Sequence, residues 1–308
     1  MLRGIRSASA SLVVLAIGAG GALAGDLTDS LKAGSPEVKS AGALAFGPDG
    51  VLFVADQAGG ALFALDTGDR GQSRSETPAP VNVEGVDTKI AAMLGTTPDQ
   101  ILIRDMAVNP SSAEVYLSVA RGRGPEAPAA IVRLDGKGQP QEFAPKDVKF
   151  ARAELPGIAE GRGRQDAITD LAYVDGRVFI AGLSNEEFSS SLRAVPFPFA
   201  GSSQAGAHVE IYHGAHGRFE TTSPVRTFVP YEINGDPYIL AAYTCTPLVK
   251  FPVADLKPGA RVKGTTIAEL GNRNKPLDMI VYQKDGRDYF LLANSSRGVM
   301  KIATDRAG

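Results

Sequence analysis

Five stretches of the chain alternate hydrophobic and polar positions in the same way. GALAFGPDGVLFVAD from Gly42, RDMAVNPSSAEVYLSV from Arg104, TDLAYVDGRVFIAG from Thr169, TFVPYEINGDPYILAA from Thr227 and LDMIVYQKDGRDYFLLAN from Leu277 share one plan. Each holds a short apolar run, a turn, and a second run of alternating aliphatic and aromatic residues. Period two on both arms of a turn marks a β-hairpin. Ala45, Ala107, Ala172, Pro230 and Ile280 occupy equivalent positions and recur every 50 to 65 residues. That spacing leaves room for two further strands after each hairpin. Residues 61–65 and 80–83 fit this role after the first hairpin, 130–134 and 139–143 after the second, and 192–196 and 208–212 after the third.

Four antiparallel strands repeated around an axis make a β-propeller, in which radial repetition leaves few exposed edges. The pattern therefore predicts an all-β propeller of five or six four-stranded antiparallel blades, with residues 146–160 able to hide the sixth. The last strand legible in the pattern covers residues 299–302, so the ring is either completed by residues 36–39 or left incompletely closed at its C-terminal side. Thr97-Pro98-Asp99 reads as a helix start between the first two blades, with an N-cap, a proline at the first helical position and an acid in the first turn.

The phrase ALAFGPDGVLFVADQAGGALFALD resembles the outer repeats of NHL, YVTN and SMP-30-type propellers. This resemblance covers the repeat units and implies a fold, not a chemistry. SMP-30-type lactonases carry a metal-binding Glu just before the first inner strand, where this chain has Ser40-Ala41-Gly42-Ala43. Quinone-dependent dehydrogenase propellers rely on tryptophans between blades, and this chain has no Trp. Nucleophile-elbow, zincin-helix and phosphate-loop motifs are also absent from the sequence.

Arg3, Arg6, an apolar small-residue run from Leu12 and the sequence Ala22-Leu23-Ala24 together read as a signal peptide over residues 1–24. The remainder, 25–308, is expected to form one propeller domain in the periplasm or outside the cell, with no membrane span after cleavage. A net charge of -2 argues against nucleic acid, whose phosphates call for excess Lys and Arg. A lone Cys245 excludes an internal disulfide, thiol exchange between two cysteines and a Cys-x-x-Cys-His haem.

The blade geometry collects candidate site residues. The start of each inner strand and the end of the second strand share one mouth of the channel, as do the links between blades. Asp105, Asp170 and Asp278 precede inner strands. Asn185, Asn294 and Arg297 follow second strands, and Arg164 lies in a link. The three aspartates either bond backbone N–H groups of neighbouring blades or form a carboxylate ring for a hard cation such as calcium. All three histidines lie in HVEIYHGAHG, from His208, and His213 and His216 fall at the same mouth as Cys245. Two imidazoles and a thiolate suit copper or zinc, with Met279 as a candidate axial ligand. Equally, these are a solvated turn and a small buried side chain. Two function classes follow. One is a binding module for a protein partner or small ligand at the mouth. The other is a metal-dependent enzyme or electron carrier using the same mouth, with Asp170 or Asp278 as a base.

Overall fold

The computed structural model describes residues 26–71, 81–124, 127–199 and 203–305. The expected signal peptide lies outside them. Among the described residues no helix is long and apolar enough to cross a membrane.

The hairpins form where the turn chemistry demands them. Asp175-Gly176, Asn234-Gly235 and Asp285-Gly286 are two-residue loops with positive φ at both positions: 48° and 73°, 54° and 89°, 53° and 73°. A two-residue turn of that hand matches the twist of the strands it joins, and Asn or Asp followed by Gly populates it at least cost. Each hairpin then recruits outer strands. Blade two runs Ile101–Val108, Val115–Arg121, Ala129–Leu134 and Pro140–Glu142. Blade three runs Asp170–Val174, Arg177–Leu183, Ser190–Pro196 and Ala207–His213, with Arg218–Glu220 returning beside the last. Blade four runs Val225–Ile233, Asp236–Tyr243, Cys245–Pro252 and Thr265–Asn274. Blade five has three strands, Pro276–Lys284, Arg287–Asn294 and Gly298–Ala303.

Blade one departs from the expected layout. Its inner strands are Leu44–Phe46, Val51–Asp56 and Ala61–Asp66, but its fourth strand is Val148–Glu154, which follows blade two in sequence. Lys32–Gly34 adds a fifth strand outside it. The segment that could have hidden a sixth blade is thus the outer strand of the first, and the blades number five. Of the strand expected over residues 80–83, Pro80 lies outside the described residues and 81–83 are not in a strand. The N-terminal segment reinforces blade one instead of closing the last blade. The helix is Val86–Met93, upstream of the expected position, while Pro98–Gln100 makes a single 3-10 turn.

This nesting sets the order around the ring. Leu44–Phe46 packs between Ile101–Val108 and Asp170–Val174; the latter meets Val225–Ile233, which meets Pro276–Lys284. The spatial order is therefore two, one, three, four, five. The core lies between blade faces. Phe63 and Tyr116 pack between blades two and one, Phe53, Ile168 and Leu171 between one and three, Phe179 and Phe251 between three and four, and Leu248 and Phe290 between four and five. Each fully buried side chain of this size contributes about 1.5–3 kcal/mol. Among the described residues the ring is not closed by hydrogen bonds.

Polar ties at the start of the inner strands reinforce the packing. Asp105 Oδ2 of blade two accepts the Leu44 N–H of blade one at 2.7 Å, and Asp170 Oδ2 of blade three accepts the Phe228 N–H of blade four at 2.7 Å. Hydroxyls run the same way. Ser118 donates to the Gly42 carbonyl, and Thr169 donates to the Val225 carbonyl, both at 2.6 Å. Gln57 Nε2 bridges blade one to the Ile168 carbonyl before blade three. Among the described residues, Asp278 of blade five accepts only the N–H of its own neighbour Met279, at 2.7 Å.

Enclosure makes these carboxyls poor acids. Burial pushes Asp105 up to about 7, with the charge of Asp278 adding to the effect. Burial, then Asp105 and Asp278, hold Asp170 well above the usual carboxylate range, and burial raises Asp278.

Two outcomes follow from these features. Gly235 has φ 89° and open space where a side chain would project, so Gly235→Val tests backbone strain alone. It is expected to cost about 1–2 kcal/mol, read as a lower denaturation midpoint with unchanged slope. The second concerns Asp105. Its folded-state pKa lies above its unfolded value, so the folded chain holds an extra proton between about pH 4 and pH 7, and the stability present below pH 4 is lost progressively across that window. Asp105→Asn keeps an acceptor for Leu44 and cannot ionise. Relative to the parent, its melting temperature should gain roughly 8–16 °C between pH 4 and pH 8, because a pKa raised by about three units amounts to about 4 kcal/mol. A pH-independent difference would refute the assignment.

Candidate functional site

The inner strands begin around a cavity of about 340 Å³. Asp105, Asp170 and Asp278 line it, with Arg104, Gln57 and Arg226. Three carboxylates from blades two, three and five thus share one space, although each already serves a backbone N–H. No ion pair reaches them among the described residues, since Arg226 is bound to Asp166 at 2.5 Å. The other mouth candidates do not line the cavity. Arg164 donates to the carbonyls of Ala58 and Ala159, bracing a link. The Asn185 N–H is bonded to the Gly157 carbonyl. Asn294 is buried, where it donates to Asn274 and accepts from Lys275 and Ser296. Arg297 donates to the Asn272 carbonyl at 2.7 Å and leans over Gly271. Backbone carbonyls have captured the two arginines, while Asn294 is taken up by Asn274 and by backbone N–H groups.

A second cluster forms on the same face, further from the axis, at the junction of blades three and four. Ala207–His213 runs antiparallel to the inner strand of its blade, so it ends at the mouth, as does Asp236–Tyr243 in the next blade. His213 closes the first of these strands and His216 lies in the turn that follows. Cys245 opens the strand after the second. One ring nitrogen from each histidine and Cys245 Sγ lie within 4.8 Å of one another.

Glu220 organises this cluster. Its two oxygens meet the Nδ1 atoms of His213 and His216 at 2.9 and 2.7 Å, and Ser223 adds a third bond at 2.7 Å. Burial would raise this carboxyl, but the bonds from His216, His213 and Ser223 together outweigh it and hold the pKa at about 2. With Nδ1–H donated to the carboxylate, a neutral imidazole presents Nε2 as a bare lone pair. His213 is buried, and its Nε2 has no hydrogen-bond partner among the described residues. The rings lie against each other, tilted by 37°, with centroids 3.9 Å apart. Cys245 sits at φ 81°, a conformation that L-residues rarely hold, and its Sγ donates to Asn272 Oδ1 at 3.2 Å. A carboxylate that holds Nδ1 and leaves Nε2 free is the arrangement that supports metal-bound histidine.

Two neighbours fall elsewhere. His208 is satisfied by the Phe188 carbonyl and by Glu186, at 2.7 and 3.1 Å, and plays no part in the cluster. Met279 is buried in the core between blades four and five with Leu270 and Phe290, so it is no axial ligand. The oxygen bonded to the sulfur comes from Asn272. Sequence reasoning also missed Glu220. The signal lay in the return strand: Arg218 pairs with His213 and Glu220 with Ile211, which puts Glu220 and His213 on one face of the hairpin.

No protein-family model matches the chain, and no curated protein matches it. Solved structures with a similar course of chain are β-propellers. One is a putative oxidoreductase (glucose dehydrogenase) from Thermus thermophilus, with 14% identity over 85% of this chain and 93% of that one, at a TM-score of 0.28. Another is the PQQ-bound aldose sugar dehydrogenase from Streptomyces coelicolor, with 14% identity over 86% and 77% of the two chains and a TM-score of 0.27. A third is streptogramin B lyase, with 9% identity over 89% and 86%, at 0.26. At such scores these likenesses say nothing about chemistry. The chain is a five-bladed β-propeller.

Proposed function

We propose that the protein is an exported propeller of the NHL, YVTN and SMP-30 kind that works as a binding module, and that it holds a copper or zinc ion at His213, His216 and Cys245. The single observation that carries this reading is the buried, partnerless Nε2 of His213 inside a ready-made cluster of soft and borderline donors. A buried polar atom without a partner costs about 1–3 kcal/mol, and a metal bond removes that cost. The fit is close. A metal bonded to two nitrogens and one sulfur at usual lengths places its ligands roughly 3.3–3.8 Å apart, so the shell closes with a contraction of at most about 1.5 Å. The N-terminal leader supports export, and the rigid ring supports a platform that holds its rim loops in place.

The central cavity supports a second, separate reading. Three enclosed carboxylates without a paired cation suit calcium or a small cationic ligand, bound at the expense of their protons.

The metal reading is tested on mature protein prepared without an affinity tag and equilibrated with zinc or copper. Elemental analysis should find one equivalent bound, and saturation should raise the melting temperature, since a ligand at a hundred times its Kd adds about 2.7 kcal/mol of stability. His213→Ala should abolish stoichiometric binding. Glu220→Gln should weaken it about 10–100-fold by releasing the imidazoles. Protein that stays metal-free after supplementation would refute the assignment.

A further inference from the structure

We propose that the ion held at the rim is copper and that the site is a one-electron centre, cycling between Cu(II) and Cu(I); this rests on the metal-binding reading above. The donor set comes first. Two imidazole nitrogens and one thiolate form a three-donor set, and the amide oxygen of Asn272, 3.2 Å from Sγ, stands beside it as a weak neutral fourth donor. Trigonal His₂Cys with a weak axial ligand is the combination that suits copper electron transfer. A structural zinc site would want four strong ligands, and this cluster has three with no second cysteine anywhere in the chain. Hydrolytic zinc would need a free base at the open position. Both oxygens of Glu220 are committed to the histidines, and Asp170 and Asp278 line the axial cavity; Glu269, beside Gly214 in the turn between the histidines, is the carboxylate such a site would have to use, and it stands outside the three-donor set.

Rigidity is the second argument. Electron transfer is fast when the same ligand cage serves both oxidation states, so the ligands must be held by the fold. Here one carboxylate locks both rings. Cys245 is fixed by its pairing with Asn274 and by a left-handed backbone angle. Behind it Asn274 donates to the Tyr243 carbonyl at 3.2 Å and accepts from Asn294, so the strand exits on both sides of the thiol are cross-braced.

A route for the electron is the third. His213 is only 4% exposed, whereas the side chain of His216 is 48% exposed, so one ligand ring is buried and the ring tilted against it opens on solvent. The exposed edge of His216 is where a partner would approach. That partner is a one-electron carrier: reduced, it gives one electron to Cu(II), and Cu(I) later gives one electron to an oxidised acceptor. On loading, Cys245 forms its sulfur–copper bond and releases its thiol proton to solvent.

The test uses the mature apo-protein titrated with Cu(II) under inert gas. One equivalent should produce an intense visible thiolate-to-copper absorption. Ascorbate should bleach it and ferricyanide should restore it over repeated cycles, with a single reversible one-electron wave in voltammetry. Cys245→Ser should bind copper at least tenfold more weakly and stay colourless. His216→Gln, a change at a half-exposed position that leaves the core intact, should also weaken binding at least tenfold and slow exchange with a protein carrier. Asn272→Leu should keep the colour and raise the reduction potential, because Cu(II) loses an oxygen donor. Copper that binds without colour, or colour that decays as the thiol is oxidised, overturns the electron-transfer proposal while leaving the metal site standing. Failure to bind copper or zinc at all overturns both.

Discussion

The arrangement depends on one kind of contact, a carboxylate at the start of an inner strand that accepts an N–H from the next blade. Inner strands converge toward the axis, where side chains have little room and faces cannot pack over a large area. A short polar side chain reaching sideways to a backbone donor suits that space. Asp105 and Asp170 make this contact, and the blades they reach carry Ala43 and Phe228 at the equivalent position. The ties thus fall on alternate blades around the ring. Asp278 breaks the alternation, since its bond stays within its own strand at the side where the ring lacks a closing hydrogen bond. Burial and mutual repulsion at the axis are then consequences of the device that holds the ring.

The rim cluster is built on a different principle. Nothing there is tied across the axis; two neighbouring blades each bring a strand end to the same face. Blade three supplies both imidazoles and the carboxylate that aims them, and blade four supplies the sulfur. Geometry within the histidine pair is therefore local to one hairpin and insensitive to small movements between blades. The distance to sulfur is the variable part, governed by the packing of Phe179, Tyr243 and Phe251 in the core between the two blades.

Much of this was legible in the amino-acid sequence because the signals were local. Asp-Gly and Asn-Gly turns between alternating arms announce hairpins, and five similarly built hairpins announce a propeller. The ends of strands could be assigned to one mouth by counting reversals, which places His213, His216 and Cys245 together without knowledge of their distances. The failures share a cause. Val148–Glu154 pairs with Ala61–Asp66 across more than a whole blade of intervening chain, and its half-exposed outer position leaves only a weak apolar pattern. Helix Val86–Met93 begins at Gly85 with φ 61° and no side-chain cap, so it lacks the usual start signal, whereas Thr97 carried that signal and yielded one turn. Glu220 escaped notice because its three-residue strand is too short to show a period.

The insertion of one blade within another has a bearing on how the chain acquires its shape. When residue 66 has been synthesised, the strand Ala61–Asp66 offers an open row of backbone donors and acceptors, and its partner emerges only after the whole of blade two. Until then the apolar edge of Leu62, Phe63 and Leu65 is a template for any extended segment that comes near. A chain exported as proposed would present that edge on the far side of the membrane before the ring has formed. Self-association of nascent molecules, and not loss of the mature ring, is thus the hazard this topology carries.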